Sequence, residues 1–321
     1  LTESLPSNDA SDASALPRYR LEVEAGVTVL RDGWTAAFYL PSTCDRHQEA
    51  AARCIAEYLR LVGQPSLRWT IDEEGEAVEL DDAAIKARLT ALARPGEESV
   101  GFRLMDNPEG VSAHRVRYIG LHADDPVAAM RPDAVSLLTL TYATETVERL
   151  GLDLLARFHD AVAATLPVSS GYVSPAFVAA TGAGEPPAFE KIHALCRRYR
   201  CLDVSHVSID ALTLGDRLRG AYWLNYLGPA NVEALGGEGA IAAALSAQPV
   251  ASRPLAGGVL ALQIDGPPIA GDVNRREDLG AHVALAALFE PRLYEAEIAF
   301  PEFELEDTEN WFRRFLFSEA P

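Results

Sequence analysis

The spacing of apolar and polar positions changes period along the chain, and the changes mark its elements. Arg20–Leu30 places Leu21, Val23, Val27 and Val29 in alternation, which predicts a strand. Asp32-Gly33 reads as a turn and Trp34–Leu40 as the second strand of a hairpin. Helical spacing then takes over. Asp45 is expected to cap a helix, with Gln48 as its capping-box partner. Ala51, Ile55, Tyr58, Leu59 and Val62 form its inner face and Gly63 its end. Leu67–Ile71 reads as a short strand and Ala83–Ala93 as a helix ended by Pro95-Gly96. Val100–Met105 and His114–His122 read as paired strands around Asn107-Pro108-Glu109-Gly110, and Ala134–Tyr142 as an apolar strand. Val147–Leu166 carries Val147, Leu150, Leu154, Phe158, Val162 and Leu166 on one stripe, which predicts one long helix.

The second half is organised around Leu218–Asn274. Leu218–Leu227 alternates aromatic, apolar and small residues and stops at Gly228-Pro229, as a buried strand would. Pro229 suits the first position of a short helix, and Gly236-Gly237 its end. Gly257–Ile264 is a second apolar strand, and Gly271-Asp272-Val273-Asn274 a turn that opens a helix over Leu279–Phe289. Around this block, Gly171–Val178 and Val204–Leu214 read as strands. Pro187 starts a helix with Phe189, Ile192, Leu195, Cys196 and Tyr199 on one face. Tyr294–Leu305 reads as an edge strand and Thr308–Phe317 as a terminal helix. Strands and helices interleave, but hairpins recur. The expected class is α+β, with a mixed, largely antiparallel sheet covered by helices. Leu1–Pro17 is polar and expected to be a disordered tail. Residues 18–321 are expected to be a single α+β domain. Its halves each run strand–helix–strand–helix without a residue-level repeat, which leaves duplication open.

One series of residues has a wider echo. It comprises Gly171-Tyr172, Leu202-Asp203-Val204, Gly220-x-x-Trp223-Leu224-x-x-Leu227-Gly228, Leu235-Gly236-Gly237, Gly258-Val259 and Pro268-x-x-Gly271-Asp272-x-Asn274-Arg275. In order and spacing this series resembles the type VI immunity protein family, over roughly Trp34 to Pro291. The chain departs from the family pattern at Arg200-Cys201, where a Pro-Gly pair usually precedes the Leu-Asp step. The resemblance implies a protein that binds and neutralises a cognate secreted effector toxin, several of which resemble restriction-type nucleases. The motif residues Gly171, Tyr172, Asp203, Gly220, Trp223, Leu224, Gly228, Gly236, Gly237, Gly271, Asp272 and Asn274 are then structural.

Charge bears on that implication. The formal net charge is -19 and the isoelectric point about 4.8. Such a field repels nucleic acid and anionic membranes and attracts basic partners; an acidic surface also serves solubility alone. Asp72–Asp82 holds seven acids and no basic residue. It reads either as a solvated loop leading into a helix N-terminus or as a toxin-facing patch formed by Glu73, Glu74, Glu76 and Glu79. A second acidic run covers Glu302–Glu309. No apolar run reaches the ~18 residues of a membrane span. The polar start lacks the basic residues of a secretory signal, while the absence of an initial Met leaves a lost leader open. Four cysteines, Cys44, Cys54, Cys196 and Cys201, form no C-x-x-C pair. This argues against structural zinc and for reduced thiols in the cytoplasm.

Candidate chemistry is sparse. No Gly-x-Ser-x-Gly elbow, phosphate-binding loop or dinucleotide fingerprint occurs, and no cofactor or metal is expected. His159 and His193 lie on helices without a second ligand one turn on, and read as surface or core-rim residues. Asp272 and Asn274 on a glycine turn have an enzyme-like look, but Asx hydrogen bonding explains them too. Asp203 reads as a turn or cap residue. Trp223 is assigned to the core, and Tyr222, its neighbour on the strand, reads either as a second packed aromatic or as a toxin-binding interface anchor. The aromatic C-terminus, Trp311 to Phe317, suits a docked helix, with any exposed remainder marking a partner or homodimer surface. The leading expectation is an immunity protein that occludes the active site of an effector toxin and is not an enzyme. The rivals are a hydrolase using Asp272 and Asn274 and a structural component of a secretion system.

Overall fold

A computed structural model describes residues 2–4, 16–23, 26–63, 67–96, 98–181 and 185–317. The strands are β1 (Thr2–Ser4), β2 (Arg20–Glu22), β3 (Thr28–Leu40), β4 (Trp69–Ile71), β5 (Ala77–Glu79), β6 (Val100–Met105) and β7 (Arg115–Gly120). They continue as β8 (Ser136–Ala143), β9 (Ser170–Ala179), β10 (Asp203–Val204), β11 (Leu224–Leu227), β12 (Val250–Pro254) and β13 (Leu260–Ile264). All belong to one sheet, with the path β12-β13-β11-β9-β3-β8-β7-β6-β4-β5. The pairs are antiparallel except β9 with β10, which are parallel. The helices are α1 (Gln48–Val62), α2 (Asp82–Leu92), α3 (Pro126–Met130), α4 (Thr144–Leu150), α5 (Leu152–Thr165) and α6 (Glu185–Arg198). After them come α7 (Val207–Asp210), α8 (Pro229–Ala234), α9 (Gly237–Leu245), α10 (Gly280–Phe289) and α11 (Leu305–Phe312). The class is α+β, as expected.

The sheet is buried on both faces, and β3 records the division. Trp34, Ala36, Phe38 and Leu40 point to one apolar cluster, covered by α1, α2, α5, α9 and α10. Ala37 and Tyr39 point to the other, covered by α6 and α11. Every residue of β8 and β9 is accordingly buried. On the second face the cover stops short of β6 and β7, where Arg103, Arg115 and Arg117 stand instead of apolar residues.

Several expected elements shift, each for a local reason. Asp32-Gly33 is no turn: β3 runs through it, and the bend lies between Glu22 and Thr28. Asp32 is buried, accepting from the Tyr19 amide at 2.9 Å and the Thr144 hydroxyl at 2.6 Å. Gly33 lies so close to β8 and β9 that a Cβ would stand 2.8 Å from Val178 Cγ2 and 2.9 Å from the Tyr142 carbonyl. The first clear helix begins at Gln48, not on an Asp45 cap, because the Gln48 amide donates to the Arg94 carbonyl rather than closing a capping box. The long helix over 147–166 is two, broken at Gly151, whose φ is 80°. The break resets the phase, so α5 buries Leu155, His159 and Val162 while Leu154 is exposed. Val204–Leu214 is mostly turns and α7, and 294–304 holds no strand. Helix α9 and strand β12 had no expectation. Leu1–Pro17 lies mainly outside the described residues, apart from β1, which pairs with β2, and residues 16–17.

Trp223 is buried at 2% exposure, edge-on to Trp34 with ring centroids 5.5 Å apart, and its Nε1 donates to the Gly266 carbonyl at 3.2 Å. Trp223→Ala is expected to cost about 3–5 kcal/mol in chemical denaturation. A change under about 1 kcal/mol would mean the two tryptophans do not brace the sheet.

Candidate functional site

Several polar residues of the second half do not open onto solvent; Tyr172, Asp203, Asp210 and Tyr222 converge around one buried arginine. Arg219 precedes β11, and its side chain is 1% exposed between Asp203 at 0% and Asp210 at 2%. Its Nε donates to Asp210 Oδ2 at 2.6 Å and Nη2 to the Val204 carbonyl at 2.7 Å. Its Nη1 donates to Asp203 Oδ1 and to the hydroxyls of Tyr172 at 3.1 Å and Tyr222 at 2.5 Å. The Tyr172 hydroxyl in turn donates to Asp203 Oδ2 at 2.7 Å, and the Tyr172 and Tyr222 rings stack at 3.9 Å. Burial opposes the Arg219 charge, but Asp203, the two tyrosines and Asp210 outweigh it and raise its pKa above the usual arginine value. Burial pushes Asp210 up to about 6 against the pull of Arg219. Two carboxylates facing one guanidinium leave the acid with the weaker compensation partly reluctant to ionise.

This corrects two expectations. Tyr222 is no interface anchor, because it is 1% exposed and holds Arg219 from inside. Asp203 is not a cap but the main counter-charge of a core arginine. Arg219 and Asp210 were missed. Their signal was a lone arginine between Leu218 and the apolar run Gly220–Leu227, which demands a buried acid elsewhere.

The remaining motif residues serve as frame. Gly171 passes against β3, Gly220 against the Tyr222 ring, and Leu224 lies in the core. Gly228 passes the Val168 carbonyl, and Gly236-Gly237 joins α8 to α9. Gly271 has φ 69°, and a Cβ there would stand 2.7 Å from Cys201 Sγ. Asp272 bonds Arg198 at 2.9 Å and accepts the Asn274 amide at 3.0 Å in an Asx turn. Desolvation raises its pKa, but Arg198, the Asn274 amide and Arg275 together draw it below the usual value. The turn does not open α10 directly, since the helix starts at Gly280. His159 is not a rim residue: it is fully buried, with Nδ1 donating to the Leu155 carbonyl and the Tyr142 hydroxyl facing Nε2 at 3.0 Å. Among the described residues, no three His, Cys, Asp or Glu are grouped to hold a metal ion.

Glu73, Glu74, Glu76 and Glu79 lie at the far end of the sheet, on hairpin β4–β5. All four are exposed, and among the described residues none forms an ion pair. Asp72 shapes the turn by accepting the amides of Glu74 and Glu76 at 3.1 and 2.8 Å. Asp81 caps α2 through the Ala84 amide at 2.7 Å. The second acidic run is mixed: Asp307 pairs with Arg197 at 3.3 Å and Glu309 with Arg313 at 3.8 Å, while Glu302, Glu304 and Glu306 are exposed and form no ion pair among the described residues. The aromatic C-terminus is mostly inside, with Trp311, Phe312 and Phe315 buried and Phe317 at 48% exposure. No helix among the described residues is long and apolar enough to cross a membrane.

The two-faced sheet and its braced core are the frame of a type VI immunity domain, as the comparison with known families shows. The chain belongs to the family described as type VI immunity for VRR-NUC, whose model matches residues 50–315. It is an immunity protein of type VI secretion. Among solved structures it is similar to the Pseudomonas aeruginosa T6SS protein PA0821, at TM-score 0.75 and 20% identity over 92% of this chain and 87% of that one. That likeness bears on the fold. No curated protein matches the chain.

Removing one partner of the buried triad leaves an uncompensated charge. Arg219→Met is therefore expected to cost about 3–5 kcal/mol in urea denaturation, and Arg219→Met with Asp203→Asn and Asp210→Asn clearly less. Equal losses in both would refute a charge-based penalty. Stability should also fall in acid. Burial lowers His159 and His282 to about 3 and His206 to about 4. The unfolded chain takes up those protons near pH 6.5, so their contribution is complete above about pH 6.5 and is lost as pH falls through the folded values. Asp210 runs the other way, losing its contribution as pH rises from its ordinary 3.8 to about 6. Three histidines outweigh it, and the unfolding free energy should be lower at about pH 5 than at about pH 7.5. A flat or inverted dependence would contradict this.

Proposed function

We propose that this protein neutralises a VRR-NUC nuclease effector by covering its active site, and that the hairpin β4–β5 is the acidic face that meets it. The observation that carries this is a hairpin with four exposed glutamates, none with a cation partner among the described residues. A nuclease must present basic groups to phosphate, and free carboxylates imitate that charge. The family's own description pairs it with VRR-NUC. The partner is a protein, and the action is binding rather than catalysis. Asp272, the residue with the most enzyme-like setting in the sequence, is held by Arg198 and its own turn. The working compartment that follows is the cytoplasm, where a nuclease effector meets nucleic acid.

The test is stopped-flow association with the cognate effector at two salt concentrations. For the wild type, steering predicts an on-rate near 10⁸–10⁹ M⁻¹s⁻¹ at low salt, on the order of a hundredfold or more above an unsteered encounter. Added salt should slow it as the Debye length shrinks to about 8 Å. Replacing Glu73, Glu74, Glu76 and Glu79 with Gln should reproduce the slowing, with a smaller change in off-rate. Replacing Glu302, Glu304 and Glu306 should do less. A slow on-rate indifferent to salt would assign the acidic hairpin to solubility.

A further inference from the structure

A positive cavity stands in this acidic protein, over β6 and β7 and beside α6 and α7. Strand alternation sends Phe102, Leu104, Val116 and Tyr118 to the covered face. The intervening positions Arg103, Arg115 and Arg117 therefore face the other way, into a cavity of about 230 Å³. Arg103 is the register partner of Arg117, and Arg117 of Thr139. Like charges directly opposed across a strand pair destabilise a sheet unless something answers them. Asp106 and Glu185 act on Arg115 only from beyond ion-pair distance. Among the described residues none of the three arginines forms an ion pair with a carboxylate, and Arg117 has only the Ser208 hydroxyl at 3.0 Å. Burial lowers Arg117 to about 10, with a further contribution from the neighbouring charges of Arg103 and Arg115.

The lining adds donors and acceptors around these cations. His206 contributes Nδ1, buried and without a hydrogen-bond partner. Glu185 is the one carboxylate among the residues that line the cavity. Three guanidinium groups and one carboxylate leave a charge of about two positive units, which a dianion neutralises and a monoanion does not. Guanidinium forks also match the oxygen geometry of phosphate. We propose that the cavity over β6 and β7 is a binding site for a phosphate dianion, free or as the phosphomonoester of a small molecule. The site is separate from the acidic hairpin and does not depend on the identity of the effector.

The test is isothermal titration calorimetry of the full chain with inorganic phosphate, glycerol 3-phosphate and acetate in chloride buffer. The expected result is saturable one-site binding of phosphate, weakened at least about tenfold by Arg103→Gln and by Arg117→Gln. Both variants should fold, with melting temperatures at or above the wild type in the absence of phosphate, because each removes one of two opposed like charges. Tighter binding of glycerol 3-phosphate than of inorganic phosphate would assign the site to a phosphomonoester, and the reverse to the free ion. Three results would overturn the proposal: no saturable binding of either phosphate compound, acetate binding as tight as phosphate, or unchanged binding in both variants. None of them would bear on effector neutralisation.

Discussion

The burial of Arg219 is the constraint on which the rest of the second half depends. A guanidinium at 1% exposure cannot be left unpaired. Its donors draw in four separate pieces of chain: Tyr172 on β9, Asp203 and Val204 on β10, Asp210 on α7, and Tyr222 ahead of β11. The aromatic C-terminus closes the cluster, with Trp311 and Phe312 each near 5 Å from the guanidinium carbon, at 5.2 and 5.3 Å. A buried ion pair is weak grounds for net stability, since desolvation offsets most of the attraction. Its effect here lies in uniqueness. A one-residue slip of β10 or of the segment before β11 would turn Asp203 or Arg219 away and strand a charge in the core. This gives a physical reason for the presence of Tyr172, Asp203 and Gly220 in the family series.

How much of this was legible in the sequence depended on whether local chemistry or tertiary packing decided the outcome. The pair β6 and β7, the apolar strands β8 and β9, and helices α1 and α10 followed from period and stop signals, although the start signals of both helices misled. Asp32-Gly33 misled because its turn chemistry is local, while the reason for its place in β3 is distant: Thr144 holds the carboxylate, and β8 and β9 crowd the glycine. Gly151 misled in the opposite sense. The apolar stripe ran on across it, but the positive φ at that residue restarts the helix with a new inner face. Tyr222 and Trp223 show why alternation could not sort inside from outside. Both faces of the sheet are buried, so consecutive aromatics enter two different cores. The acidic run was legible as charge, and its hairpin form was not, because Ala77–Glu79 carries little strand propensity.

The charges of the chain are separated by use. Where carboxylates sit inside, at Asp32, Asp203, Asp210 and Asp272, each has a cation or a set of hydrogen bonds. Where arginines sit under partial cover on β6 and β7, no carboxylate among the described residues pairs with them, and Glu185 lines the cavity at longer range. A chain of net charge -19 therefore contains a concave patch of the opposite sign, lined in part by the paired strands β6, β7 and β8.

The acidic hairpin has two physical accounts, and its geometry separates them. Strand β5 is the last on its side of the sheet, and charged side chains on an edge strand discourage pairing with another chain. Glu79 lies on that strand and is explained in this way. Glu73 and Glu74 lie in the turn and Glu76 just before the strand, where no ladder positions exist to protect. Asp72 also spends its carboxylate on the turn amides, fixing the backbone that carries these three glutamates. A tip held in one conformation loses less entropy on meeting a partner than a free loop would. Edge protection calls for no such ordering, and a surface that must match a basic site does. The three turn glutamates, not Glu79, are thus the charges that a binding function explains and an edge function leaves over.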